Sequence, residues 1–349
     1  MKKKYPEAVN AIDRYIREHA LLDGDRLPAE KRLAEVLGLN HITVRKALSI
    51  LAGEEKVHTV PCRGNFVGKA AVRSSRTRLV GLLVPDPDSF FYDIIAALEY
   101  RISMFDYSPL IHFSRRSRLR EESALNSMCR RKVEGIIAVP DRNCADLYAQ
   151  LKIPLIFFDN MIEGLNIPYV INDDFQAALS ATEHLISLGH RRIAHLGGNE
   201  VHSSFQRLNG FRTALERHAI PIAPELILSR EYSREWGYTA AETLFRSPHP
   251  PTAVFCGNDS IASGLLRYLL TYGIACPQEV SVIGCCNAPF SEDIGLTTVD
   301  QQTSQLAECL WNSLYTAMTG KQLPPAIIIP SRLLLRRTTA IPAAGQATG

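Results

Sequence analysis

The sequence lacks any apolar run approaching the roughly 18 residues that a helix needs to cross a bilayer, so no membrane span is expected. The basic start, MKKKYPEAVNAIDRY, is not followed by an apolar stretch, and no secretory signal is expected from it. The eight cysteines include no Cys-x-x-Cys pair and no Cys/His cluster at zinc spacing. Cys285 and Cys286 are neighbours and could bridge only under strain. All eight read as reduced thiols of a cytoplasmic protein. The ten histidines show no metal spacing either, although His184, His190 and His195 gather near one helix–strand turn. No GxGxxG follows the first strand of the body, where the chain reads VPDPDS, and no P-loop, GxSxG or HExxH occurs. No cofactor, metal or catalytic machinery is therefore expected.

What is present divides unevenly. At 349 residues the chain is long enough for two or three domains, and 46% hydrophobic residues suffice for a sizeable core. The net charge of +3 conceals an asymmetry: residues 1–78 carry +7 and residues 79–349 carry −4. A small basic front on a mildly acidic body points to a polyanionic partner for the front alone.

Three helical patterns occupy that front. Ala8, Ala11, Ile12, Tyr15 and Ile16 repeat at helical spacing as far as Asp23-Gly24. Pro28 then opens a short second helix with Leu33, Ala34 and Leu37 inward and Gly38 as its stop. Asn40 is placed to cap a third, NHITVRKALSILAGEE, whose Val44, Ala47, Leu48 and Leu51 form an inward stripe. His41, Arg45 and Ser49 point the other way, with Thr43 and Lys46 near that edge. KVHTV and NFVG, around a Pro-Cys-Arg-Gly turn, read as a hairpin. Helix, short helix, turn, helix and hairpin make a winged helix-turn-helix, whose third helix enters the major groove of double-stranded DNA. Arg45, five residues beyond the helix start, has the planar fork needed for a bidentate pair with guanine.

LPAEKRLA, TVRKAL and RGNFV, in this order, resemble the motifs of the GntR-family DNA-binding domain over about residues 5–68. The resemblance implies DNA contacts at Lys31 and Arg32, at Thr43 and Arg45, and at Arg63 and Gly64 on the wing; Asn40, His41 and Lys46 join them from the exposed end of the third helix. Asn40-His41 stands where that family often has Ser-Arg, and Lys31 where Arg is commoner, keeping the charge but losing the fork. The DNA-binding domain is expected over 1–68 and a linker over 69–77, where GKAAVRSSRTR has no periodicity and Arg73, Arg76 and Arg78 read as solvated.

From about residue 78 to 340, strand-like runs alternate with helical patterns of 12–18 residues, as in RLVGLLVP, VEGIIAVP, IPLIFFDN, RRIAHLGG, PTAVFCGND and VSVIGCCN. This alternation implies an α/β body of two doubly wound parallel sheets, with ligands at the carboxyl ends of the strands. The polar residues there are Asp86, Asp88, Asp159, Asn160, Asn258, Asp259 and Asn287. LGHRRIAHLGG, RLNGFRTAL, PTAVFCGNDSIASGLLRYL and GIACPQEVSVIGCCN resemble the effector domain of LacI-family repressors, a bilobal, periplasmic-binding-protein-like fold. The resemblance implies three crossings between lobes, placed near 159–169, 287–297 and 319–325, and a small molecule in the cleft. It gives Arg207 and Asp259 the grip on ligand polar groups, which suits vicinal hydroxyls. Asp159, Tyr232, Asn258, Asn287 and Phe91, the last with Phe90, are further candidates. Asp259 can also serve as a helix N-cap. GCCN stands where the family commonly has two acids after an aromatic residue, which removes the usual contact there.

Together these readings describe a DNA-binding regulator, a repressor of a palindromic operator, acting as a homodimer through helices 89–104 and 119–131 and released by a carbohydrate effector. Alternatives are a corepressor or nucleobase ligand and, from another class, a solute-binding receptor, which the basic wing argues against.

Overall fold

The computed structural model describes residues 5–60, 64–68, 77–198 and 201–343. The chain forms two compact units, Met1–Arg76 and Thr77–Gly349.

The first unit contains α1 (Tyr5–Glu18), α2 (Glu30–Leu37), α3 (His41–Gly53) and an antiparallel hairpin, β1 (Val57–Val60) with β2 (Gly64–Val67). Gly38 ends α2 in the left-handed region, at φ 64°, where its backbone N–H turns back to the carbonyls of Ala34 and Glu35. The Asn40 side chain accepts from the Ile42 N–H and starts α3. Ala8 and Ile12 of α1, Leu33 of α2 and Val44, Leu48 and Leu51 of α3 share one core with Val57 and Val67 of the hairpin. The inward stripe of α3 is the one its spacing predicts; α2 begins at Glu30, two residues later than the Pro28 expectation.

The second unit runs β3 (Leu79–Val84), α4 (Ser89–Ser103), β4 (Ser108–Phe113), α5 (Arg118–Arg130), β5 (Gly135–Ala138), α6 (Ala145–Ala149), β6 (Leu155–Phe158) and β7 (Tyr169–Asn172). It continues with α7 (Asp174–Ser187), β8 (Ile193–Gly197), α8 (His202–Arg217), β9 (Ile227–Ser229), α9 (Arg234–Phe245), β10 (Ala253–Cys256), α10 (Asp259–Thr271), β11 (Ser281–Cys285) and α11 (Phe290–Asp293). It ends with β12 (Thr297–Asp300), α12 (Thr303–Met318), β13 (Ala326–Ile329) and β14 (Arg332–Leu334). One sheet has the order β13-β7-β6-β5-β3-β4 and is parallel throughout; the other is β14-β12-β11-β10-β8-β9. In the second sheet β14 runs antiparallel to β12, an exception to the all-parallel expectation. The inner strands β3, β5, β8 and β10 are buried on both faces, as doubly wound sheets require.

The three crossings are displaced from their expected positions, each by one strand. The chain leaves the first lobe between β7 and α7, returns between β12 and α12, where Leu310 and Trp311 pack with Leu98 of α4, and leaves again between β13 and β14. In each case the strand placed beyond the crossing belongs to the lobe being left. These strands are four residues long, too short for a period to announce them. The crossings are laced together: Asn172 Nδ2 donates to the Gln301 carbonyl at 2.7 Å, and the Gln302 side chain donates to the Pro330 carbonyl.

Candidate DNA-binding face and ligand cleft

On the first unit, Lys31 and Arg32 lie exposed on α2, with His41, Arg45 and Lys46 exposed and Thr43 half-buried on α3. Arg45 Nε donates to Glu30 Oε2 at 2.8 Å. That bond steadies the arm while the two terminal nitrogens keep no protein partner among the described residues, leaving the fork available. Arg32 pairs with Glu35 at 3.0 Å, and the Lys46 ammonium sits 5.6 Å from the Tyr5 ring centre. Asn40 spends its side-chain oxygen on the helix start, so the contact expected of it is reduced to its amide hydrogens. Arg63 lies outside the described residues. Gly64 opens β2 at φ 108°, a backbone that side chains rarely adopt.

Two further residues complete this face. Ile42 is 62% exposed at the start of α3, apolar and beside His41, suited to a thymine methyl. Its place on the outward face was legible from the helical period. Arg26 was not legible: it meets β2 through a bridge to Phe66, which brings its guanidinium beside Gly64.

In the second unit, residues of both lobes line one cleft. Asp88, Phe90, Phe91, Arg116 and Asp159 come from the first lobe; Ser203, Arg207, Tyr232, Asn258 and Cys286 come from the second; Gln301 comes from a crossing. The space between them is about 30 Å³, and it adjoins a chamber of about 200 Å³ lined by Ser114, Glu121, Asp141, Asn160 and, again, Arg116 and Asp159. The cleft therefore suits a small molecule, and the narrow part must widen to admit one.

Arg207 is its electrostatic centre. It is 4% exposed and gives Nε and Nη2 to Asp174 Oδ1 at 2.9 and 2.8 Å, with Nη1 donating to the Gly257 carbonyl. Burial is the largest single influence and opposes the guanidinium charge, but its neighbours, Asp174 first among them, together hold it well above its ordinary range. Asp174, the first residue of α7, also accepts from Gln301 Nε2 at 3.1 Å, so the arginine is tied to a crossing through one carboxylate. Gly210, three residues after Arg207, lets α8 approach α7: a Cβ there would stand 2.2 Å from the Phe175 carbonyl oxygen. The Arg-x-x-Gly spacing thus couples a cleft residue to the helix contact that seats it.

Tyr232 lies against Gly198, where a Cβ would come within 2.2 Å of the ring, and its hydroxyl shares a 2.6 Å hydrogen bond with Ser204. The ring stands 6.0 Å from the Arg207 guanidinium carbon. Asp88 caps α4 through the Phe91 N–H, and burial pushes its carboxyl up to about 6 against the pull of that bond. Asp159 occupies the left-handed region at φ 57° and has no hydrogen-bond partner among the described residues; burial first, then Asp174, pushes its carboxyl up to about 6.

Two expected ligand residues stand elsewhere. Asp259 accepts from Ser291 Oγ and Thr298 Oγ1, both at 2.6 Å, and from the Ala288 N–H at 2.7 Å. Its carboxylate is used in holding the loop after β11, and it is absent from the cleft lining. The cap of α10 is Asn258, which accepts from Ile261 N–H at 2.8 Å, and not Asp259. Asn287 turns away to accept from Arg336 at 2.8 Å; Cys286, at φ 107°, faces the cleft in its place. The histidines noted in the sequence serve the fold: His195 stacks between Phe211 and Phe255, and His190 bonds Thr252 and Ser281.

Residues 4–67 match the family model described as "Bacterial regulatory proteins, gntR family", and residues 182–339 match "Periplasmic binding protein-like domain". The Arabinose metabolism transcriptional repressor of Geobacillus stearothermophilus is 27% identical over 87% of this chain and 88% of its own length. The HTH-type transcriptional repressor PurR of Escherichia coli is 29% identical over 77% of this chain and 82% of its own length. The structure of a LacI family transcriptional regulator from Enterococcus faecium, with bound ribose, has a TM-score of 0.68 at 27% identity, covering 75% of this chain and 99% of that one. A gntR-type head on a periplasmic-binding-protein-like body defines a transcriptional regulator that joins DNA binding to a ligand-receiving domain. The particular pairing, a winged head with a LacI-type body, is the one the arabinose repressor's similarity spans along most of the chain.

Proposed function

We propose that the protein is a cytoplasmic repressor, not an enzyme, that grips a palindromic operator as a homodimer and is released by a small carbohydrate-type effector in the cleft. The observation that carries this reading is the Arg207–Asp174–Gln301 chain, which ties a buried cleft arginine to a crossing between lobes. A ligand that changes the arginine's surroundings changes the crossing, and through it the pose of the lobes. Such a ligand must prefer the state that binds DNA weakly; equal affinity for both states would shift nothing. The names of the relatives and the ribose in the Enterococcus faecium structure support repression and a sugar-sized occupant.

DNA contact is assigned to Lys31, Arg32, Asn40, His41, Thr43, Arg45, Lys46, Arg63 and Gly64, with Ile42 and Arg26 added. Ligand contact is assigned to Phe91, Asp159, Arg207, Tyr232 and Asn258. Dimerisation through the first lobe is supported by Tyr92, Tyr100 and Met104 on or beside α4 and Leu119 on α5, which are 55%, 64%, 63% and 78% exposed. Large apolar side chains left exposed in this way are the ones a partner surface would cover. One winged head reads a short half-site, and two arranged about a dyad read a palindrome.

The test is selection of duplex from a random pool by the full chain, followed by a salt titration and a screen of sugars and nucleobases against the selected DNA. Salt-sensitive binding that one compound weakens is the expected result. A compound that strengthens binding makes the effector a corepressor, and the absence of salt-sensitive DNA binding removes the reading altogether.

A further inference from the structure

The cleft's hydrogen-bonding balance is one-sided. Two of its three cations among the described residues are already matched, Arg207 by Asp174 and Arg116 by Asp86 at 2.9 Å, and the third, Arg142, lies exposed at the chamber's edge. Its acceptors are not matched. Glu121 is fully buried, and burial pushes its carboxyl up. Its Oε1 receives the Tyr148 hydroxyl at 2.6 Å and the Asp141 N–H at 3.1 Å, the Cys144 thiol lies close enough to add a weak bond, and Oε2 meets no N–H or O–H donor among the described residues. Asn160, 5% exposed, donates its amide to the Pro140 carbonyl at 2.8 Å, which fixes the orientation and leaves Oδ1 unpartnered. Gln301, 1% exposed, is likewise fixed by its bond to Asp174 and leaves Oε1 unpartnered at the narrow end. Asp159 borders both the chamber and the narrow part, with a carboxylate that no protein donor engages among the described residues.

Resting on the reading of this cleft as the effector site, we propose that the effector is an amino sugar, its ammonium seated in the chamber among Asp159, Asn160 and Glu121 and its hydroxyls directed toward Gln301 and Asn258. Buried acceptors need donors, and leaving them unmade is costly. An ammonium supplies three donors and no acceptor, where a hydroxyl supplies one donor and brings lone pairs of its own. Two of the three facing groups are carboxyls, so a positive charge gains what a neutral group cannot. A phosphate or carboxylate would bring like charge against Asp159 and Glu121, with both arginines beside it already engaged. Arg142, the chamber's other cation among the described residues, is exposed and spends its guanidinium over the Phe205 ring, 5.4 Å from its centre. Among the described residues no three His, Cys, Asp or Glu side chains converge as metal ligands, so the cation that fits is a molecular one. Phe91 and Tyr232 add ring surfaces across the narrow part, where an aminated sugar can rest its apolar face.

The experiment is calorimetric titration of the full chain with glucosamine, galactosamine and mannosamine, each beside its neutral parent, and with glucose 6-phosphate and glucuronate. One amine is expected to bind at least tenfold more tightly than its parent, and Asp159→Asn is expected to abolish that ratio. Glu121→Gln, whose remaining oxygen can keep the Tyr148 and Asp141 bonds while the wall loses its charge, is expected to lower the same ratio and guards against a misfolded first variant. A parent that binds as well as its amine, an anionic sugar that binds best, or silence from the whole panel overturns the amino-sugar assignment. The effector reading is judged separately: a neutral sugar that binds and releases selected DNA preserves that reading while defeating the amine.

Discussion

The head and the body use their charged residues in opposite ways. The head turns His41, Arg45 and Lys46 outward from one short helix and holds Arg45 by a single bond to Glu30 at its edge. The body buries Arg207 and Asp174 against one another, 4% and 3% exposed, and hands each of Asp259's oxygens to its own loops. Outward charge costs little stability and is free to meet a polyanion; inward charge must be matched or it destabilises the fold. Removing a charge should therefore cost the head affinity and the body stability.

The largest effect is expected at Asp174→Ala. It leaves the Arg207 guanidinium buried without its partner, which costs about 3–5 kcal/mol. In calorimetry of the full chain, the body's transition should fall steeply while that of the head stays in place. If both fall together, the two units unfold as one and head and body do not differ in this way.

Asp259→Ala is expected to follow, at about 2–4 kcal/mol, because the Ser291 and Thr298 hydroxyls and the Ala288 N–H lose their acceptor together. Urea unfolding gives the number. The sequence alone favours a different outcome for this residue, loss of ligand affinity. A loss of affinity in a variant of unchanged stability would restore that expectation against the geometry.

Asp259 also shows where sequence reading stops. The head was legible because its elements are local: the stripe of α3, the glycine stop at Gly38 and the Asn40 cap lie within a few residues of what they organise. The alternation of strands and helices in the body was legible for the same reason. The partners of Asp259 are 29 to 39 residues away in sequence, and no period reports which carboxylate a distant hydroxyl will choose. Asp174 carries no local signal: beside Asp173 at a helix start, nothing in the sequence distinguishes it from a surface acid. Only the approach of α8 turns it to Arg207. Gly197-Gly198-Asn199 carried too little pattern to interpret, yet the Tyr232 ring depends on the missing Cβ at Gly198. The crossings failed for a related reason: a four-residue strand acquires its identity from the sheet it joins.

On the head, Arg45→Ala should weaken binding to selected DNA by about 1–3 kcal/mol and relax the base preference at one position of each half-site. Fluorescence anisotropy on the selected duplex and on single-base variants measures both. The thermal transitions should move little, since Arg45 is exposed and its half-buried Glu30 partner still reaches water. Equal losses on matched and mismatched DNA would instead make Arg45 a phosphate contact.

The smallest effect separates the two regions by pH. Asp159 has its carboxyl pushed up to about 6 by burial and by Asp174, from 3.8 in the unfolded chain. A raised carboxyl disfavours the ionised form in the fold, so Asp159 subtracts stability above pH 6 and ceases to do so as the pH falls toward 4. Asp159→Asn should thus stabilise the body by about 1 kcal/mol at pH 8, since solvent reaching the half-buried side chain screens part of the penalty. The advantage should shrink as the pH falls through 6 and vanish near 4, with the head's transition indifferent throughout. Paired melting curves across that range decide it: a constant difference between variant and parent would mean that Asp159 holds a partner in solution, and that the chamber's unmet acceptors number one fewer.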